Sequence, residues 1–188
     1  MQLADYLDNV VVLDAAPSDN APVQRRLRQC GLAPWSLDLG TNGAWRETLR
    51  RALDQARGRG APGVLVLLSD QGHDAAFWRS QDAVVEHLAA RRWDIVYLGH
   101  GPSGSALGDD NRPGLVHCDM PPSDVSAIAV RCEVLDLIVQ TMPDHGVDGP
   151  LSPADWLAIA CWLATDRVRS GSGWAVWPPL MHAGHALH

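Results

Sequence analysis

Two short aliphatic runs dominate the pattern along the chain, Val64-Leu65-Val66-Leu67-Leu68 and Ile95-Val96-Tyr97-Leu98. Neither alternates apolar with polar residues, so each predicts a strand covered on both faces. Asn9 to Leu13 reads the same way and opens the fold. Between these runs the apolar residues take helical spacing. Ala21 to Cys30 predicts a helix that stops at Gly31, a residue suited to a helix C-terminus. Pro34 to Leu39 predicts a second strand. Gly43 to Arg57 predicts an arginine-rich amphipathic helix, halted by the Gly58-Arg-Gly-Ala-Pro-Gly63 break. A helix from about Asp74 to Arg91 then separates the Val64 strand from a strand over Trp93 to Gly99.

Beyond Gly99 the pattern loosens. Gly101 to Gly114 is a polar Gly/Pro/Asp loop, long enough to be functional or disordered. Leu115 to Asp119 predicts a short strand. Pro122 to Met142 contains a predicted helix with apolar residues at Val130, Val134, Leu137 and Ile138. Ser152-Pro153 opens another, Ser as cap and Pro at the first helical position. Trp174 to Trp177 predicts a last strand before a His-rich tail. The alternation implies a single α/β domain over residues 1–180, with a mostly parallel sheet flanked by helices and residues 181–188 as the tail. Val10 to Leu13, Val64 to Leu68 and Ile95 to Leu98 are expected side by side at its centre.

Composition narrows the function classes. A chain of 188 residues suits one domain with a full core. A net charge of -7 argues against nucleic acid or anionic membrane as the main partner. All 15 cations are arginine, a bias of genome composition rather than of chemistry. Trp occurs 8 times against one Phe, which offers stacking surfaces for sugars or bases as well as ordinary core packing. Cys30, Cys118, Cys132 and Cys161 form no Cys-x-x-Cys pair, which excludes a simple zinc ribbon and fits a reducing compartment. Met1 to Asp8 is short and acidic, unlike a signal peptide, and no apolar stretch reaches the roughly 18 residues of a spanning helix. The expected location is cytoplasmic, with no membrane span.

Several motifs, taken in order, resemble family-25 glycosyltransferases of the bacterial lipopolysaccharide-biosynthesis type. Trp93-Asp94-Ile95-Val96-Tyr97-Leu98-Gly99 is similar to that family's Trp-Asp-(Ile/Leu)-Val-Tyr-Leu-Gly strand. Val10 to Asp14 resembles its opening strand, and Pro153-Ala154-Asp155-Trp156-Leu157 its Pro-x-Asp-x-x-Leu. Val176-Trp-Pro-Pro-Leu180 resembles its closing Val-x-Pro-x-Leu. Two stretches depart from the pattern. Gly43 to Arg57 lacks the Glu and Cys of the family's Gly-Glu-x-Gly-Cys helix, and Ser69-Asp70-Gln71 stands where Glu-Asp-Asp is expected.

The resemblance implies a Rossmann-like nucleotide-diphospho-sugar transferase sheet of the GT-A type. It also implies a nucleotide-sugar donor, a glycan-like acceptor and inverting transfer. It places a divalent cation, Mn2+ or Mg2+, at the acidic motif after the third strand, where hard oxygen ligands neutralise charge on the leaving diphosphate. Asp70 is the carboxylate that remains there, as a metal ligand or a contact to the donor substrate. Asp74, one helical turn on, is the second candidate ligand, with His73 nearby and His182 from the tail as a third. Asp70 serves equally as an N-cap for the following helix. Gly99 and His100 begin a glycine-rich loop after a strand, placed to approach a substrate or simply to connect; it is neither a Walker loop nor a dinucleotide fingerprint. Asp155 is the candidate general base, and a first-turn carboxylate is also favourable to its helix. His182, His185 and His188 equally suit a frayed polar terminus. Two function classes follow: a divergent transferase, or a catalytically inactive relative acting as a binding or assembly partner in a biosynthetic pathway.

Overall fold

The computed structural model describes residues 7, 9–14, 21–29, 31–38, 45–59, 62–68, 82, 85–86, 88–89, 93–99, 114–117, 125–141, 153–168 and 173–177. The elements in chain order are β1 (Asn9–Asp14), α1 (Ala21–Gln29), β2 (Ala33–Asp38), α2 (Trp45–Gly58), β3 (Gly63–Leu68), β4 (Ile95–Gly99), β5 (Gly114–His117), β6 (Ala127–Arg131), α3 (Cys132–Thr141), α4 (Pro153–Val168) and β7 (Gly173–Trp177). Asp82, Val85, Glu86, Leu88 and Ala89 are helical too, within the stretch expected to form a helix before β4.

Among the described residues the strands form one seven-stranded sheet in the order β2-β1-β3-β6-β4-β7-β5. β1 pairs in parallel with β2 and β3, and β4 in parallel with β7. β6 is antiparallel to both β3 and β4, and β5 is antiparallel to β7. Five strands therefore share one direction and two oppose it.

Two sequence expectations fail here. Pro122 to Met142 does contain a helix, Cys132–Thr141, but Val130 belongs to the strand Ala127–Arg131 that precedes it. Every residue from Ala127 to Val130 is buried, so the apolar positions that continue the helical spacing of α3 also satisfy a central strand. In consequence β3 and β4 are not neighbours, because β6 lies between them. β1 and β3 are adjacent, as expected.

Both faces of the sheet are covered. On one face Val11, Val64, Val66, Ile95, Tyr97, Ile128 and Val130 join a single buried cluster with three helices. Leu49, Ala52, Leu53 and Ala56 enter it from α2 at the i, i+3, i+4, i+7 spacing of one helical face. Val134, Leu135 and Ile138 enter from α3, and Trp156, Leu157, Ala160, Cys161 and Ala164 from α4. The alternate strand residues Val10, Leu65, Leu67, Val96 and Leu98 are equally buried, as are Leu27 of α1 and the helical Val85 and Leu88. Covering of both faces explains why these strands read as unbroken aliphatic runs.

Local chemistry ends the helices where the sequence indicates. Gly31 takes φ 77°, its amide bonds the Arg28 carbonyl at 3.1 Å, and the Leu32 amide bonds the Leu27 carbonyl at 3.0 Å. This pair of bonds satisfies carbonyls that α1 leaves open, and Leu27 and Leu32 are both buried beside it. An Arg57–Asp136 ion pair links α2 to α3 on the surface, where such pairs contribute little stability. The Cys132 amide bonds the Pro62 carbonyl at 3.2 Å, tying the start of α3 to the segment that enters β3.

Candidate functional site

The chain passes from β1 out to β2 and then returns to place β3 on the other side of β1. Such a reversal opens a crevice at the carboxyl ends of the parallel strands, the usual ligand position in open α/β sheets. Asp14 ends β1 directly across from Asp38, which ends β2. β3 ends at Leu68, two residues before Asp70. β4 ends at Gly99, buried, one residue before His100. With β6 between them, the ends of β3 and β4 stand about 10 Å apart, two strand spacings.

The carboxyl end of β4 is irregular. Tyr97 pairs with Ile128 and Gly99 with Ala127, so Leu98 is an extra residue that bulges the strand. The Gly99 carbonyl accepts from the Ser126 amide at 2.8 Å. The Ser126 hydroxyl is fully buried and has no partner among the described residues. Inward from the bulge, the buried Tyr97 hydroxyl donates to the Ala158 carbonyl of α4 at 3.1 Å.

That bond marks the part of α4 that lies beside β4. Four residues, 169–172, join α4 to β7, and β7 runs parallel to β4. A connection that short is usual where a helix packed on a sheet runs antiparallel to the strand that follows it. Asp155 lies three residues before Ala158, about 4.5 Å along the helix axis. Asp155 thus stands less than one helical turn from the carbonyl that meets Tyr97, and Gly99 follows Tyr97 by two residues along β4. Asp70, His73, Asp74, His100 and His182 lie outside the described residues. Among the described residues, no three His, Cys, Asp or Glu side chains group to hold a metal ion.

The opposite end of β4 carries a different arrangement. Asp94 is 2% exposed, and its Oδ2 has no partner among the described residues. Its carbonyl accepts from the Arg131 amide at 2.9 Å, and the Arg131 guanidinium lies 5.6 Å from the Trp93 ring centre. This stacking is a cation–π contact that closes the amino end of the β4–β6 pair. The Trp93-Asp94 part of the motif thus sits away from the mouth.

Sequence reasoning missed Tyr97 and Ser126 as features of the mouth. Tyr97 had a readable signal, a single hydroxyl in an otherwise aliphatic strand that must find a partner once buried. Ser126 had none, because nothing in the local pattern separates the strand it precedes from the helix that follows.

No protein-family model matches the chain, and no curated protein matches it. In fold it is similar to a crystal structure of a glycosyltransferase involved in the glycosylation of the major capsid of PBCV-1. The superposition has a TM-score of 0.56 at 12% identity and covers 89% of this chain and 80% of that one. At that identity the likeness is one of fold: a mixed α/β sheet flanked by helices. Among the described residues no helix is long and apolar enough to cross a membrane.

Proposed function

We propose that this chain is a glycosyltransferase of the family-25 kind, with a GT-A type sheet, moving a sugar from a nucleotide donor to a glycan-like acceptor. The observation that carries the reading is the fold likeness to a glycosyltransferase over 89% of the chain. Two features support it: an order of motifs that resembles the family, and the positions of Asp70 and His100 in the sequence just after β3 and β4.

In this reading the donor lies across the crevice above β1 and β3. Gly99 and His100 border it where β4 ends. Asp155 removes the proton from the acceptor hydroxyl as its oxygen attacks the anomeric carbon. The bond from that carbon to the donor phosphate breaks on the opposite side, which inverts the configuration, and the nucleotide diphosphate departs with the electron pair.

A cation at this mouth would be held by Asp70 with Asp74 and His182. Two carboxylates and one imidazole form a donor set that suits Mn2+ and, with added water, Mg2+. Such an ion supplies electrostatic stabilisation to the departing diphosphate. Ser69 and Gln71 flank Asp70 as neutral groups, which favours a second reading, a relative that binds partners and transfers nothing.

Calorimetric titration with uridine and cytidine diphosphates, with and without manganese, separates the two. The transferase reading expects binding in the micromolar-to-millimolar range, strengthened by manganese and lost in Asp70→Asn. Absence of binding under every metal condition leaves the partner protein.

A further inference from the structure

We infer that Tyr97 is a positioning residue: its hydroxyl holds the first turns of α4 in register with the end of β4, and through them Asp155. The role assigned to Asp155 rests on the transferase reading; the restraint on the helix does not.

Three observations carry it. Tyr97 is 1% exposed in a strand whose other buried residues, Ile95, Val96 and Leu98, have no polar side-chain atom. Its hydroxyl spends its donor on the Ala158 carbonyl, 61 positions away in sequence. That carbonyl lies inside a helix, where the amide four residues on, at Trp162, already supplies a partner. The hydrogen bond is therefore not needed to satisfy Ala158. It satisfies the phenol and fixes how far α4 slides along the sheet. Apolar contacts alone leave sliding poorly determined, because hydrophobic burial is non-directional. Trp156, Leu157 and Ala160 would remain buried after a small axial shift, whereas a hydrogen bond weakens steeply with misalignment.

The bond also lies next to the β4 bulge. Leu98 loops out between Tyr97 and Gly99, so the residue that grips α4 and the residue that starts the mouth loop are set by the same irregularity. A displacement of Tyr97 moves both sides of the mouth together.

Tyr97→Phe tests this because it keeps the ring and removes only the hydroxyl. Hydrogen exchange by mass spectrometry, without ligand, is expected to rise about fivefold over residues 153–160, the scale of one modest hydrogen bond. Exchange over α2 should stay as in the wild type. Hydrolysis of nucleotide-sugar donors is the second readout, with Asp155→Asn and the double variant. A Tyr97 acting through Asp155 lowers kcat at constant KM, and adds no further loss once Asp155 is changed. Unchanged exchange over residues 153–160, or losses that add in the double variant, overturns the inference. A wild-type protein that turns over no donor removes the transferase reading, and the exchange result then decides alone whether Tyr97 holds the helix.

Discussion

The Ser126 amide donates to the Gly99 carbonyl at 2.8 Å, closing the β4–β6 pair immediately beyond the Leu98 bulge. The same residue buries a hydroxyl that finds no partner among the described residues. Its backbone therefore stabilises the mouth while its side chain costs free energy, since a buried, unpaired polar group loses its water without compensation. Ser126→Ala keeps the amide and deletes the hydroxyl. The expected outcome is a gain of about 1 kcal/mol in urea unfolding at unchanged m-value. A loss of stability of that size would show that the hydroxyl is satisfied by a group that Ala cannot replace.

Gly31 and Gly58 form a matched pair for testing backbone conformation. Neither has an atom within 4 Å of where a Cβ would sit, so packing does not separate them. Gly31 has φ +77°, whereas Gly58 closes α2 without a left-handed conformation. Gly31→Ala should cost about 1 kcal/mol, with Gly31→Asn in between, because a Cβ is disfavoured in the left-handed region. Gly58→Ala should be neutral or stabilising by about 0.5 kcal/mol, since it restricts the unfolded chain. Thermal unfolding of the three variants reads the order directly, and equal losses at the two sites would contradict the assignment.

Cys161 is fully buried in the α4 face, and burial pushes its thiol far above the ordinary value of 9.0 because the thiolate loses its water. Folding thus prefers the protonated form. Below about pH 9 both states keep the proton, and this preference leaves stability unchanged with pH. Above it the unfolded chain releases the proton first, so stability falls as pH rises, by up to about 1.4 kcal/mol per unit. Cys161→Ala should flatten that part of the curve. Alkylation followed by peptide mapping supplies a second check. Half-exposed Cys132 should label in the native protein, and Cys161 only after unfolding.

Much of this fold is legible from local pattern. Val64 to Leu68 and Ile95 to Leu98 announce buried strands because a two-sided layer leaves no room for polar alternation. Gly31 announces the end of α1 because few other residues tolerate its φ. Ala127 to Arg131 was illegible for an equally physical reason. No Gly or Pro interrupts Ala127 to Thr141, and Val130, Val134, Leu137 and Ile138 fit a helical face. What makes 127–131 a strand is the vacant hydrogen-bonding edge of β3 and of β4, a long-range condition that no short window contains. The site divides in the same way. Gly99 at the end of β4 follows from the unbroken run Ile95 to Leu98 that it closes, whereas the Asp155 turn is tied to β4 by the Tyr97 bond to Ala158, 61 residues apart in sequence. Asp70, Asp74, His100 and His182 lie outside the described residues.

The wedge of β6 between β3 and β4 also governs the order in which a nascent chain can finish its sheet. Residues 63–68 and 95–99 leave the ribosome well before 127–131, yet the two halves cannot join without that late strand. Until it emerges, β3 offers neighbouring chains an unpaired Gly63-Val-Leu-Val-Leu-Leu68 edge, the kind of flat apolar template that seeds aggregation. Synthesis therefore passes through an interval in which the most stable-looking strand of the protein is its most hazardous one, and the arrival of a five-residue segment ends it.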